Sequence, residues 1–382
     1  MTASVAAGLS GDSGWILTAA TLVVAGLLLA PGWIVGRSAR LAALPSLAVA
    51  PALSSAIIAA AEILAHTLAL PWLPWGWAVI AGLTAVVALM ARLLVGAPPE
   101  RARRAASQGR AEWVILAAGL TVAVAVPAGV ILTVLPGPGY PAQVFDATFH
   151  LNAVAAIREG GNASMLGGLS ALYSGRAVYY PTVWHGLVAL APGSPAPVST
   201  AGVLALTAVV WPLSLLGLLA RATGLDAARA SETDRARRRQ RTCAVAAVLA
   251  LSAAVVGFPL LPMTALAVWP YALSVAGLPG VLVLYDLLRQ ETASWRLRLV
   301  LVLLALAAAG GVVAAHGTGL FNLAVLSPPF LVNLLVSRWR RSATRRGGRA
   351  LLVAGAVASV LVLAVGAWVM RASLASVLGY QR

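Results

Sequence analysis

The chain has 382 residues; 60% are hydrophobic and only 10% are charged. Soluble domains carry about 25% charged residues, so this composition excludes an ordinary soluble enzyme, and its hydrophobicity excludes disorder. The net charge of +16 would point to nucleic acid in a soluble protein. Here the charge sits in loops between long apolar runs, and no nucleic-acid partner is expected. All 27 basic residues are arginine; with the many Ala, Gly and Val, this reads as the product of a GC-rich bacterial genome. The single cysteine, Cys243, rules out an internal disulfide and a thiolate metal cluster.

Ten stretches have the length and apolarity of a membrane-spanning helix, about 20 residues. They cover residues 15–35, 41–65, 72–95, 113–135, 200–219, 242–261, 267–287, 297–315, 320–336 and 351–369. The ninth contains Pro328 and Pro329, which membrane helices tolerate with a kink. Of the 27 arginines, 23 fall in alternate loops, after spans one, three, five, seven and nine. By the positive-inside rule those loops are cytoplasmic and both termini lie outside, in the cell membrane. The first fourteen residues lack a basic n-region, so no cleavable signal is expected. Tryptophans at span ends, such as Trp15, Trp72, Trp113, Trp295 and Trp339, fit an interfacial aromatic belt. The predicted fold class is an all-α polytopic membrane helix bundle of about ten transmembrane helices. It comprises a four-span segment (1–135), an external loop (136–197) and a six-span segment (198–382). The chain stops just after span ten, which fits a short variant or a fragment.

The external loop is where chemistry is expected, because long structured loops are usually functional. A helix is predicted over residues 143–159, stopped by Gly160-Gly161. Asp146 and His150 are four apart and share a face. Leu151, Val154 and Ile157 can rest on the membrane surface, making the helix interfacial. Arg176, Tyr179, Tyr180, Trp184 and His185 follow. His66 and His316 end spans two and eight on the same outer side. Glu62 lies one turn before His66, and an intramembrane carboxylate is a functional candidate. The ionisable groups other than arginine therefore converge on the outer rim.

Plainer readings stay open at this point. Asp146 fits an N-cap. Glu62 fits a packing contact with Ser54, Ser55 or His66. Trp184 and His185 fit interface anchors, His66 and His316 helix ends, and Arg158 with Glu159 a solvated helix end.

The loop resembles the first external loop of the GT-C superfamily of membrane glycosyltransferases. The matching residues are Phe145-Asp146-Ala-Thr-Phe149-His150, the run from Ala153 through Ile157 to Gly160, and Tyr179-Tyr180-Pro181 with Trp184-His185. His316-Gly-Thr-Gly is similar to a His-containing loop of some members. The chain also looks like a group of actinobacterial multi-pass proteins placed near that superfamily. Two departures stand out: four spans precede the loop instead of one, and the chain ends after span ten.

The resemblance implies inverting transfer of a sugar from a polyprenyl-phosphate sugar donor to an envelope glycan acceptor on the outer face. Asp146 would be the catalytic base. His150, Arg176, Tyr179, Tyr180, His185, Glu62, His66 and His316 would bind substrate, with Arg371 able to approach from span ten. No cofactor is required; a divalent metal is compatible with Asp146 and a donor phosphate. Two other readings compete. One is a transporter or flippase for a lipid-linked precursor, with Glu62, His66 and Asp146 as relay groups. The other is a non-catalytic membrane scaffold.

Overall fold

A computed structural model describes residues 11–96, 110–135, 137–140, 142–226, 232–290 and 294–341. Twelve helices follow one another among them: α1 (Gly11–Ser38), α2 (Ala43–Thr67), α3 (Trp72–Val95), α4 (Arg110–Val134), α5 (Phe145–Gly160), α6 (Val183–Ala189), α7 (Pro195–Thr223), α8 (Glu232–Ser252), α9 (Val256–Met263), α10 (Trp269–Gln290), α11 (Trp295–Ala315) and α12 (Gly319–Arg341). No β-strand occurs among the described residues. Seven helices are long and apolar enough to cross a membrane, and α8 with α9 makes an eighth span if that bent pair crosses as one. The chain is an all-α polytopic membrane protein. These eight reproduce the first eight predicted spans in order. The ninth stretch is also helical, within α12, and runs through Pro328 and Pro329. The tenth, with Arg371, lies outside the described residues.

Two spans depart from straight helices. The sixth was expected to be continuous, but it breaks after Ser252 and bends by 49° into α9. Pro259 and Pro262 supply the cause, since each removes a backbone donor from the helical ladder. In α7 a π-helical turn at Ala205–Val210 precedes Pro212. Such a turn takes up the irregularity that a proline imposes on the residues before it.

By backbone contacts the chain divides after Leu323. In the first unit α2 is the hub. Its span is 72% buried, against 17% for α3, so α2 is central and α3 faces outward. Helices α1, α3, α7, α10 and α11 all pack on α2. Small residues set the spacing. A Cβ on Gly280 of α10 would meet the Ala48 carbonyl oxygen at 2.5 Å, and one on Gly32, Gly217 or Gly311 would meet the backbone of α2 more closely still. Such contacts let backbones approach where side chains would hold them apart. Buried hydroxyls bridge the same layer. Ser214 Oγ lies 3.2 Å from the carbonyls of both Ala48 and Ala276, and the Gly32 amide donates to Ser54 Oγ at 2.9 Å. Of the second unit the described residues, 324–341, belong to α12.

The arginine alternation is matched by two polar faces at opposite ends of the first unit's spans. At one end Arg221 pairs with Asp226 (3.0 Å) and Asp286 (2.8 Å), and Arg238 pairs with Glu112 (3.1 Å). At the other the loop containing α5 and α6 packs on the starts of α3 and α10 and the ends of α2 and α11. This loop is built into the first unit instead of forming a domain of its own.

Gly280→Val should lower the apparent stability of the purified protein by about 1–3 kcal/mol, the usual cost of overpacking. Gly310→Ala, inside α11 where a Cβ meets nothing within 4 Å, should melt no lower than the wild type. Thermal unfolding of both variants in detergent checks the pair.

Candidate functional site

Helix α5 starts at Phe145, two residues later than the sequence suggests. Val144 occupies the N-cap position, which places Asp146 in the first turn, not at the cap. The helix stops at the glycine pair because Gly161 adopts the left-handed conformation (φ 66°) and returns its amide to the Ile157 carbonyl at 2.9 Å. The Gly161 carbonyl then accepts from the Trp72 amide at 2.7 Å, which joins the loop to α3.

The apolar stripe of α5 does not rest on a membrane surface. Val154 and Ile157 are fully buried against the bundle, with Ala147, His150 and Ala153 on the same side. Leu151 is half-buried. Burial of this kind outweighs interfacial partition because the stripe meets packed helices, α6 above all. Trp184 and His185 are likewise fully buried and are not interface anchors. Trp72 is buried too, outside any aromatic belt, and donates from Nε1 to the Gly186 carbonyl at 2.9 Å. Trp15, Trp113 and Trp295 stay exposed as expected.

Beyond the Trp72 bond to Gly186, two further sets of contacts fix the loop. Glu62, buried in α2, accepts from Thr182 Oγ1 at 2.9 Å and not from Ser54, Ser55 or His66. Gly186 leaves room for this carboxylate, because a Cβ there would overlap Glu62 Oε1. Arg158 is not a solvated helix end: its guanidinium donates to the carbonyls of Ala189 (3.1 Å), Ala191 (2.6 Å) and Gly193. It thereby satisfies acceptors at and beyond the end of α6 that would otherwise lack partners.

At the centre His150 Nδ1 and His185 Nε2 share a hydrogen bond of 2.9 Å, both rings buried. Trp269 stacks on His150 with ring centres 5.3 Å apart. Phe149 and Tyr180 close the other side, 5.0 Å from each other, with Tyr180 5.7 Å from His185. His316 packs edge-on against Tyr271 and bonds Thr318 Oγ1 at 2.7 Å. Burial lowers the His150 pKa from 6.5 to about 4, helped by the nearby His316. Burial and His150 hold His185 well below its ordinary value, and burial lowers His316 as well. At neutral pH these rings are uncharged. They act as hydrogen-bonding and packing groups.

The remaining candidates lie around this core. Asp146 is exposed, and its charge adds to the burial and the Tyr173 effect that raise the Tyr180 pKa. Arg176 and Tyr179 are exposed on the segment that follows the short 3₁₀ turn Ser170–Tyr173. Tyr179 makes an isolated antiparallel bridge with Leu166. His66 is not in the cluster; it lines a small cleft with Pro71, Gly160 and Asn162. The structure therefore brings Asp146, His150, Tyr180, His185 and His316 to one place, with Glu62 beneath them. Sequence reasoning missed Trp269, Thr182 and the role of Arg158, whose partners lie 31 to 120 residues away in the chain. No group of three or more His, Cys, Asp or Glu among the described residues is placed to hold a metal ion.

Apart from the loop, an apolar groove of about 630 Å³ runs between α1 and α3. Leu22, Gly26, Ala30, Trp77, Ala81 and Thr84 are among its walls.

Protonation couples this site to stability. The unfolded His150 has a pKa near 6.5 and the folded one near 4, so the unfolded state takes up the proton first as pH falls. Stability from the neutral ring is complete above about pH 6.5 and is lost as pH falls towards 4. The loss is about 3 kcal/mol for this residue at 1.36 kcal/mol per unit. Melting curves between pH 7.5 and 4 should show this decline, and His150→Gln should make it shallower, leaving the part that His185 and His316 contribute. Thr182→Val leaves the Glu62 carboxylate without its hydroxyl donor. It should lower stability by about 1–3 kcal/mol, read as a drop in melting temperature.

No curated protein and no solved structure matches the chain. Residues 25–382 match the profile of DUF6541, described as a family of unknown function. That match covers nearly the whole bundle, the loop and its histidine pair included, and the chain belongs to the DUF6541 family.

Proposed function

We propose that this protein is a membrane glycosyltransferase that moves a sugar from a polyprenyl-phosphate donor to a glycan or lipid of the cell envelope, on the outer face of the membrane. The observation that carries the reading is the isolation of Asp146 as an exposed carboxylate on a loop built down onto the bundle. The other nearby acids are unsuited to share its task. Glu62 is buried and bound to Thr182. Glu159 lies at the far end of α5, 13 residues on, which is about 20 Å at 1.5 Å per residue. Paired-carboxylate glycosidases need separations of about 5–9.5 Å. A single base fits inverting transfer instead.

In that reaction the acceptor hydroxyl gives its proton to the Asp146 carboxylate as its oxygen bonds the anomeric carbon. The bond from that carbon to the phosphate oxygen breaks, and polyprenyl phosphate leaves with the electron pair. The exposed Arg176 is the cation on the loop that can meet the phosphate charge as it develops. His150 and His185, neutral and bonded to each other, fix α5 against α6 and so hold Asp146 in position. The groove between α1 and α3 has the apolar lining an isoprenoid chain requires.

Membranes containing the wild type should transfer radiolabelled sugar from polyprenyl-phosphate arabinose or mannose into envelope glycan. Asp146→Asn should reduce transfer by about 10²-fold or more, in the range that removal of a general base produces. Because Asp146 is exposed, the variant should accumulate to wild-type levels with an unchanged melting temperature. Equal transfer by wild type and variant would remove Asp146 from the mechanism. Absence of transfer from several donor sugars by the full chain would favour the transport of a lipid-linked precursor.

A further inference from the structure

The opposite, arginine-rich end of the first unit carries a second site. A pocket of about 360 Å³ lies where the turn between α1 and α2 meets the ends of α7 and α10 and the start of α11. It is lined by Arg40, Leu41, Arg221, Asp226, Leu287 and Leu297, with others. Its size is within the range of small-molecule sites.

Two charged side chains in this pocket each carry a buried atom without a partner. Arg40 Nη2 is buried with no hydrogen bond among the described residues, and so is Asp226 Oδ1. The Asp226 side chain is only 6% exposed. Its other oxygen is taken by Arg221 at 3.0 Å, while Arg221 is also held by Asp286 at 2.8 Å. Arg221 is thus matched twice over, and Arg40 and Asp226 form no ion pair with each other. Buried charged atoms of this kind are costly unless something satisfies them.

The backbone sets Arg40 in place. Helix α1 ends in a Schellman turn, with the Leu41 amide on the Gly36 carbonyl and the Arg40 amide on the Arg37 carbonyl, each at 3.0 Å. The left-handed position of that turn usually holds glycine. Here it holds Arg40, at φ 67°. Ala69, Ser174 and Ala267 adopt the same conformation elsewhere; what sets Arg40 apart is that its side chain reaches the pocket.

A ligand that satisfies both orphans must accept from a guanidinium and donate to a carboxylate. A phosphate joined by a short link to a primary ammonium does both. The leucine walls come from helix ends at headgroup depth on the arginine-rich side, where a lipid presents such a group with its chains running along the bundle. We infer that this pocket is a binding site for the phosphoethanolamine headgroup of a phospholipid, its phosphate on Arg40 and its ammonium on Asp226. The inference does not depend on the transfer reaction proposed for the other face.

Native mass spectrometry of the full chain, purified in detergent and titrated with phosphatidylethanolamine, phosphatidylcholine or phosphatidylglycerol, tests it. The wild type should retain phosphatidylethanolamine about tenfold more tightly than either of the others. Phosphatidylcholine lacks ammonium hydrogens, and phosphatidylglycerol lacks the amine. One charge-assisted hydrogen bond is worth at least that factor. Asp226→Asn should abolish the preference, and Arg40→Gly should weaken retention of all three lipids about tenfold, because all three carry the phosphate. Arg40→Gly should melt no lower than wild type, because glycine relaxes the left-handed turn; Arg40→Gln provides a second charge-removing variant that keeps a side chain there. Equal retention of the three lipids, a preference unchanged in Asp226→Asn, or retention unchanged in both Arg40 variants, would overturn the site. Displacement of the lipid by an equimolar amount of soluble O-phosphoethanolamine would overturn the lipid as the ligand and assign the pocket to a free zwitterion.

Discussion

Backbone-to-backbone packing around α2 is the constraint on which the first unit rests. In a bilayer the surrounding lipid is as apolar as the helices, so burying leucine supplies little drive to assemble. Helix α2 turns Ala48, Ala50 and Ala52 toward its neighbours, and Gly32, Gly217, Gly280 and Gly311 meet them from α1, α7, α10 and α11. Side chains nearly vanish from these contacts, so dispersion and buried hydroxyl bonds such as those of Ser214 and Ser54 act at short range. With the hub fixed, the outer ends of the same helices are fixed as well. That is what allows a loop of some sixty residues to find a defined seat.

The loop is seated by polar contacts whose donors and acceptors come from both sides. Glu62 reaches up from α2 to Thr182, Trp72 reaches from α3 to Gly186, and Arg158 gathers three carbonyls at and beyond the end of α6. The first two are made in sites sheltered from water, where an unmatched polar group is expensive, while Arg158 ties α5 to the end of α6 at a partly exposed edge. Their joint effect is to bury the His150–His185 pair and keep it neutral. The platform is thus stiff and uncharged within, with Asp146 and Arg176 at its exposed edge. In the proposed reaction the charged rim, and not the dry interior, would meet the substrate.

The two ends differ in chemistry. The loop-bearing end has histidines, tyrosines and two exposed acids, Asp146 and Glu159, at opposite ends of α5. The other has an excess of arginine, with Arg221, Arg238 and Arg289 paired to Asp226, Asp286 and Glu112. Arg40 Nη2 and Asp226 Oδ1 are buried there without a hydrogen-bond partner and line one pocket.

Much of the architecture was legible in the sequence because membrane insertion reads one-dimensional properties. Length and apolarity defined the first eight spans, and the alternation of arginines matched the two polar faces that the first unit displays. The helix over Asp146 and His150 and its stop at Gly160-Gly161 were legible for a similar reason, since periodicity and glycine act locally. The bend between α8 and α9 was less so: Pro259 was visible, but whether a proline kinks or breaks a span depends on its neighbours. Burial was not legible at all. An amphipathic stripe such as Val154 and Ile157 has the same pattern whether it meets lipid or protein, and only the packed neighbours decide which. The same holds for charge. Nothing local distinguishes a histidine that binds phosphate from one that is kept neutral; the tertiary structure decided it by enclosing His150 and His185 together beneath Trp269. The sequence by itself determined which segments cross the membrane and which residues share a side. The tertiary structure decided which of those residues touch, because contacts between positions 31 to 166 residues apart leave no trace in local pattern.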